Sequence, residues 1–290
     1  MEKFKMPRTD LALDAADFME VAGEYQLPKG VTMDNQTTPQ AKVTRIEIST
    51  EDAAQRMGKE QGLYITLEIS EIETLEPKEF VALSRTLAEE LRKVCTLKKG
   101  QTALVVGLGN WNVTADALGP KTVSKVLVSR HIQQYMPDAM EKHMQSVAAV
   151  SPGVLGITGM ETGEVICGIV EKIKPDVVIA IDALASGKVQ RMHRTIQIAN
   201  TGISPGSGLG NHRMKLSKET LGVPVIAVGV PTVVDITALV EEKEGVFQNL
   251  VVTPKNIDRV MDRFSSLIAD GMNLALHHGM KLEEIHSFLG

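Results

Sequence analysis

Two aspartates stand in the same local setting. Asp116 and Asp182 are each followed by Ala-Leu, and each lies in or just after the turn that closes an apolar run, Thr102-Ala-Leu-Val-Val-Gly107 before the first and Asp176-Val-Val-Ile-Ala-Ile181 before the second. Two carboxyl groups at close range cannot both ionise freely. One keeps its proton while the other stays charged, and the pair then holds an acid and a base suited to driving water onto an amide. Taken singly, either aspartate reads as a cap for the helix that follows it; pairing is what would make them chemical. In open α/β sheets the working groups lie beyond the carboxyl ends of the strands, and adjacent parallel strands would deliver both aspartates to one rim.

Glycines flank the same strand ends. Gly107-Leu-Gly109-Asn110 is not a dinucleotide fingerprint, because the third glycine position holds Asn112 and no acidic ribose ligand closes the next strand. It predicts a tight turn in which the backbone comes close to another group, which makes Gly107, Gly109 and Asn110 candidate substrate contacts. Ser204-Pro-Gly-Ser-Gly-Leu-Gly210 is glycine-rich enough to offer backbone N–H groups to a substrate or an oxyanion, and adds Gly206, Ser207 and Gly208; the alternative is a plain surface loop. Ser207 has no GxSxG context to make it a nucleophile. Cys95 and Cys167 fall on predicted helices as small core residues. His277 and His278 sit about 100° apart on a helix, so one packs and the other is solvated, and no i, i+4 histidine pair calls for a metal or other cofactor. Lys121 and Asp235 lie near the rim in sequence and read as structural.

The elements that must position these residues change character along the chain. Residues 1–40, with scattered Pro, Gly, Asn and Thr, read as loosely structured. Residues 43–48 and 64–69 alternate apolar and polar as half-exposed strands, with a short helix over 51–60 between them and an amphipathic helix over 77–94 after them. From residue 102 the strands become continuously apolar (102–107, 146–150, 176–181, 223–229), each followed by a turn and a helix. That pattern predicts a mainly parallel sheet with both faces covered. Helices are expected from Pro120 to about Ile132, over 159–173, and over 254–278 with Thr253 as N-cap. The expected fold is α/β, with a small N-terminal α/β addition.

Composition narrows the function. A chain of 290 residues with 43% hydrophobic and 23% charged residues has ordinary globular make-up, and no apolar run approaches the ~20 residues a membrane span needs. A formal charge of −5 argues against a dedicated nucleic-acid binder. Aromatic residues at 3%, with one Trp, disfavour recognition of sugars or single-stranded bases by stacking. The first ten residues lack the apolar stretch of a signal peptide, and two cysteines suit a reducing compartment, so a cytoplasmic protein is expected.

Longer blocks carry more than their spacing. Val105-Val-Gly-Leu-Gly-Asn110, Thr114-Ala-Asp-Ala-Leu-Gly-Pro-Lys121, Pro152-Gly-Val-Leu-Gly-Ile-Thr-Gly159, Ile179-Ala-Ile-Asp-Ala-Leu-Ala185, Ile203-Ser-Pro-Gly-Ser-Gly208, Gly229-Val-Pro-Thr-Val-Val-Asp235 and Asn273-Leu-Ala-Leu-His-His278 together closely resemble the spore germination protease family, endopeptidases that degrade small acid-soluble spore proteins. The likeness runs from Arg8-Thr-Asp-Leu-Ala12 to the C-terminal helix. It implies a phosphorylase/hydrolase-like α/β fold shared with hydrogenase maturation endopeptidases, an assembly of four subunits, and a spore-core enzyme made as a zymogen. It also implies a propeptide of residues 1–10, removed by self-processing between Asp10 and Leu11, ahead of a single peptidase domain over 11–290. Family members have been grouped with atypical aspartic peptidases on two acidic positions that match Asp116 and Asp182. No cofactor, membrane or direct nucleic-acid partner is implied. Better-known members carry a long polar insertion where only residues 236–250 separate Asp235 from Val251 here. The rival readings are a metal-dependent maturation peptidase on the same fold, which metal analysis with and without chelator would reveal, and a non-catalytic member that binds spore proteins.

Overall fold

The continuously apolar strands at 102–107 and 177–181 are buried on both sides, as that pattern requires, whereas 146–150 is half-buried at the sheet edge. The computed structural model describes residues 9–21, 27–140, 142–206, 213–235 and 250–289. Along them run α1 (Ala12–Val21), β1 (Val31–Thr37), β2 (Ala41–Ile48), α2 (Glu51–Met57), β3 (Gly62–Ile69) and α3 (Pro77–Val94). Next come β4 (Thr102–Gly107), α4 (Leu118–Val123), α5 (Arg130–Tyr135), β5 (Ser146–Val150), α6 (Leu155–Thr158), α7 (Thr162–Ile173), β6 (Val177–Ser186) and β7 (Thr195–Ala199). The chain finishes with α8 (Lys218–Leu221), β8 (Val225–Asp235), β9 (Val251–Val252), α9 (Ile257–Leu276) and α10 (Leu282–Leu289).

All nine strands join one sheet in the order β1-β2-β3-β7-β8-β6-β4-β5, with β9 paired to β8. The sheet is mixed, not mainly parallel as expected. Parallel pairing is confined to β5-β4-β6-β8, and every pairing of β1, β2, β3, β7 or β9 is antiparallel. The cause is β7, a five-residue strand absent from the sequence reading. Only residues 187–194 separate it from β6, too few for the dozen or more residues of a parallel crossover. It therefore returns antiparallel, and β3 and the N-terminal strands pair onto it in the same sense.

The N-terminal region also departs from expectation. Instead of a loose segment, Leu11 and the helix α1 that follows it are buried, Leu11 and Ala12 fully so and Leu13, Ala15, Ala16 and Met19 nearly so. Small alanines let the helix lie close to its neighbours, and its leucines and methionine supply the apolar area that offsets the ordering entropy.

Alternation along β6 divides the core. Val177, Ile179 and Ile181 face the layer that contains α3 and α9, while Val178, Ala180 and Leu184 face the layer that contains α1, α2 and α7. Asp182 has the parity of the second set. Helix α3 begins at Pro77 with the Glu76 N–H bonded to the Glu79 carboxylate at 2.9 Å, and its stripe of Phe80, Leu83, Leu87 and Leu91 packs on α9. Gly271 of α9 makes that contact possible, since a Cβ there would lie 2.7 Å from Leu87 Cδ2.

Two helix boundaries are corrected. The helix expected from Pro120 to Ile132 stops at Val123, because Asn273 of α9 takes up the backbone beyond it: Leu127 N–H donates to Asn273 Oδ1 (2.9 Å) and Asn273 Nδ2 donates to the Lys125 carbonyl (3.1 Å). Helix α9 starts at Ile257, and Thr253 donates its hydroxyl to the Thr232 carbonyl of β8 instead of capping. His277 is buried, accepting the Gln145 N–H on Nδ1 with Nε2 3.0 Å from the Leu127 carbonyl, and His278 is exposed; one packs and one is solvated as expected, but both lie past the end of α9 at Leu276, so the helical angle is not what separates them. Among the described residues no helix is long and apolar enough to cross a membrane.

Candidate active site

Strands β4 and β6 are parallel neighbours, with Gly107 opposite Ile181, and Leu108 continues the ladder by donating to the Ile181 carbonyl at 2.8 Å. The loop after β4 therefore leaves the sheet beside Asp182. It turns back through a 3-10 turn, Thr114–Asp116, fastened by the Asn110 N–H on the Asp116 carbonyl (3.0 Å) and the Thr232 hydroxyl on the Ala115 carbonyl (2.7 Å).

The glycines in this turn serve the chain's own backbone. A Cβ on Gly107 would lie 2.4 Å from the Gly119 carbonyl oxygen. Gly109 has φ +107°, and a Cβ there would lie 2.0 Å from the Asp116 carbonyl oxygen and 3.1 Å from its carboxylate. Gly109→Ala should thus combine backbone strain with displacement of Asp116. We expect about 1–3 kcal/mol of lost stability, read by chemical denaturation, together with a loss of peptidase activity larger than unfolding alone explains.

Asp182 is not in a turn, as its sequence suggested, but inside a strand. Strand β6 outruns β4 and stays paired to β8 as far as Ser186, with a register shift between Leu184 and Ala185. This holds Asp182 almost fully buried, with Ala183 N–H donating to its carboxylate at 2.9 Å. Burial pushes the Asp182 carboxyl well above the ordinary carboxylate range; the charges of Asp116 and then Asp10 push it further, against the Ala183 amide and Arg213. Asp116 is also raised by burial, with the Asn110 backbone amide and Arg213 opposing. Of the two, Asp182 is pushed the further towards its protonated form.

Two cavities of about 300 and 150 Å³ meet here, both lined by Asp10, Asp182, Leu184 and Gly206. The larger adds Asp116, Gly109 and Arg213; the smaller adds Lys59, Tyr64 and Gln197. Asp10 is bound edge to edge with β6: its N–H donates to the Ala185 carbonyl (2.9 Å) and its carboxylate accepts the Ala185 N–H (2.8 Å). Lys59 Nζ donates to the Thr9 carbonyl at 2.8 Å, in surroundings whose burial lowers the lysine's pKa. Leu11, next in the chain, is fully buried.

The structure thus gathers Asp116, Asp182 and Asp10 at one site, with Gly109 and Gly206 on its wall. Gly107 and Asn110 support the turn from behind, while Ser207 and Gly208 lie outside the described residues. Lys121 is ion-paired to Asp262 of α9, and the Asp235 side chain is not described. Neither cysteine lines these cavities, and burial pushes the Cys95 thiol up to about 11. Sequence reading missed Lys59, Gln197 and Arg213. No sequence signal marked Gln197: alternation in Thr195-Ile-Gln-Ile-Ala199 sets it on the polar face, and only the structure shows both faces of this strand buried.

Comparison with known proteins gives a consistent picture. The germination protease family model matches residues 12–246. Germination proteases from Clostridium acetobutylicum and Caldanaerobacter subterraneus subsp. tengcongensis are 42% and 44% identical, each over 97% of this chain and 98% of the relative. The one from Bacillus cereus is 39% identical over 93% of this chain and 94% of its own. These alignments run to 323, 322 and 345 positions against 290 residues here, so the relatives carry segments with no counterpart in this chain. With a family model over most of its length and relatives at this identity, the chain belongs to the germination protease family, and it is a peptidase.

Proposed function

We propose that this peptidase is an aspartic-type endopeptidase that cuts its own chain between Asp10 and Leu11 and then degrades small acid-soluble spore proteins. Residues 1–10 are its propeptide and 11–290 its single peptidase domain, working in the cytoplasm of the developing or germinating spore as an assembly of four. The fold likeness to hydrogenase maturation endopeptidases belongs to the same reading, with the mixed sheet as the observed form. The observation that carries it is the placement of Asp10, the residue before the proposed cut, beside Asp182 in the cavity that also holds Asp116.

In this reading Asp116 is the base and Asp182 the acid. Asp116, the less buried and less perturbed of the two, takes a proton from water as its oxygen adds to the scissile carbonyl carbon. Asp182 enters protonated and supplies a hydrogen bond to the carbonyl oxygen. Collapse breaks the C–N bond and the amine leaves with the proton of Asp182. Arg213 offsets part of the negative charge that Asp116 carries at the start and Asp182 gains on giving up its proton.

The test starts from purified full-length protein, alone and with a small acid-soluble spore protein, at acidic and neutral pH. A new N-terminus at Leu11 and fragments of the spore protein are expected. An unchanged N-terminus with intact substrate at both pH values would overturn the reading in favour of a binding role.

A further inference from the structure

The polar residue of β7 that the mechanism above leaves unused, Gln197, spans the bond proposed to be cut. Its Nε2 donates to the Asp10 carbonyl oxygen at 3.1 Å, and its Oε1 accepts the Ala12 N–H at 2.8 Å. These partners fix the orientation of the carboxamide, since a backbone nitrogen only donates and a carbonyl oxygen only accepts. One step upstream, Lys59 holds the Thr9 carbonyl, so side chains from β7 and from the end of α2 grip the backbone on both sides of Asp10–Leu11.

Sheet register explains how a residue from the antiparallel half reaches this place. Gln197 of β7 is opposite Gly229 of β8, and Gly229 is opposite Asp182 of β6. Residues paired across neighbouring strands project to the same face, so Gln197 and Asp182 flank a position with no side chain. A Cβ on Gly229 would lie 2.6 Å from Leu184 Cγ and 2.9 Å from the Asp182 carbonyl oxygen. The space left open is the smaller cavity, lined by Gly229, Asp182, Gln197 and Asp10 together.

We propose that Gln197 is a catalytic residue of self-cleavage: its amide N–H holds the Asp10 carbonyl oxygen while that oxygen gains negative charge, and its own carbonyl fixes the departing strand through Ala12. The inference rests on Asp10–Leu11 being the processed bond. Water's oxygen bonds to the Asp10 carbonyl carbon and its proton passes to Asp116. The carbon–nitrogen pair goes to the Leu11 nitrogen, which takes its proton from Asp182; the water's second proton leaves the new Asp10 carboxyl group for solvent, so Asp10 ends as a free carboxylate and the two aspartates have exchanged protonation states. Gln197 exchanges no proton; it is a donor already in place where charge develops, alongside the protonated Asp182 on the oxygen's second lone pair.

The experiment follows the first-order appearance of the Leu11 N-terminus by mass spectrometry in full-length wild type, Gln197→Met, Gln197→Glu and Asp182→Asn, across pH, with folding checked by thermal unfolding. Gln197→Met keeps the volume without a donor, and the expected rate is about 10²–10³-fold lower. Gln197→Glu should be slowed as much at neutral pH, where the introduced carboxylate is ionised and has no proton to donate, and should recover towards wild type as falling pH restores one. A glutamine that only seats the segment would move the unfolding temperature in step with the rate as pH falls, whereas a clamp on the developing charge changes the rate beyond what the unfolding temperature reports. Folded Gln197→Met that cuts at the wild-type rate while Asp182→Asn does not, or a Gln197→Glu ratio flat with pH, overturns the clamp alone. Wild type that leaves Asp10–Leu11 intact, or Asp182→Asn that cuts it normally, overturns the underlying reading as well.

Discussion

Asp182→Asn should leave a folded protein that no longer cuts itself and that is more stable than wild type at neutral pH. The catalytic part follows from the paired carboxylates: asparagine keeps the shape but carries no exchangeable acid, and loss of one positioned acid or base costs about 10²–10⁴-fold in rate. Asp116→Asn should be inactive to a similar degree, because the base and the acid act in one step. The stability part follows from linkage. A carboxyl raised above its unfolded value binds its proton more tightly in the folded chain. The stability this supplies is complete below the ordinary carboxylate range, near pH 4, and is lost as pH rises through the raised folded value. Asp182 is raised chiefly by its own burial and then by the charges of Asp116 and Asp10. Asparagine suffers no such loss, so the advantage of the variant should grow from about pH 4 towards neutrality. Thermal unfolding of both proteins across that range, beside the self-cleavage assay, checks both halves. Robust self-cleavage by either folded Asn variant would sink the carboxylate mechanism, and a flat stability difference would sink the burial argument.

The second large effect lies at the base of α1. Asp14 is completely buried and its carboxylate is fully occupied: Thr9 and Ser186 hydroxyls donate at 2.6 and 2.9 Å, the Gly187 N–H at 2.8 Å, and the Arg191 guanidinium pairs with it directly. Arg191 also reaches Asp17 at 2.6 Å. Deleting Asp14 leaves Arg191 with Asp17 and Glu68 as counter-charges but removes its most buried partner and the acceptor of Thr9, Ser186 and Gly187, a loss at the lower end of the buried-pair range, about 3 kcal/mol. Asp14→Ala should therefore lower the unfolding temperature by on the order of 10 °C. It should also slow self-cleavage, because the same contacts seat residues 9–12 against β6 and Gln197. The exposed pair Arg194–Glu71 is the control, where Glu71→Ala should change stability by less than about 1 kcal/mol. Equal small effects from the two substitutions would show that α1 is not anchored by Asp14.

The chemistry of the site was more legible in the sequence than the route by which its parts meet. Asp116 and Asp182 stood out because each comes after an apolar run, and β4 and β6 do lie side by side and parallel. The glycines between them also marked a close approach, although what comes close is Gly119 and Asp116 of the same chain. Lys59 and Gln197 were hidden for a different reason. Each comes from the antiparallel half of the fold, outside every motif that drew attention, and reaches the site only because β7 joins the sheet between β3 and β8.

Local sequence by itself determined the apolar strands 102–107 and 146–150, the helix Pro77–Val94, and the likeness that places the chain in its family. These depend on periodicity, capping and runs of residues, which neighbours in the chain fix without help. Tertiary structure alone decided that α1 is buried, that Asp182 stands within a strand, and that Gln197, Gly229 and Asp182 share one row. Such features are set by strand order and by crossovers too short to run parallel, so they arise between segments distant in sequence, where no local pattern records them.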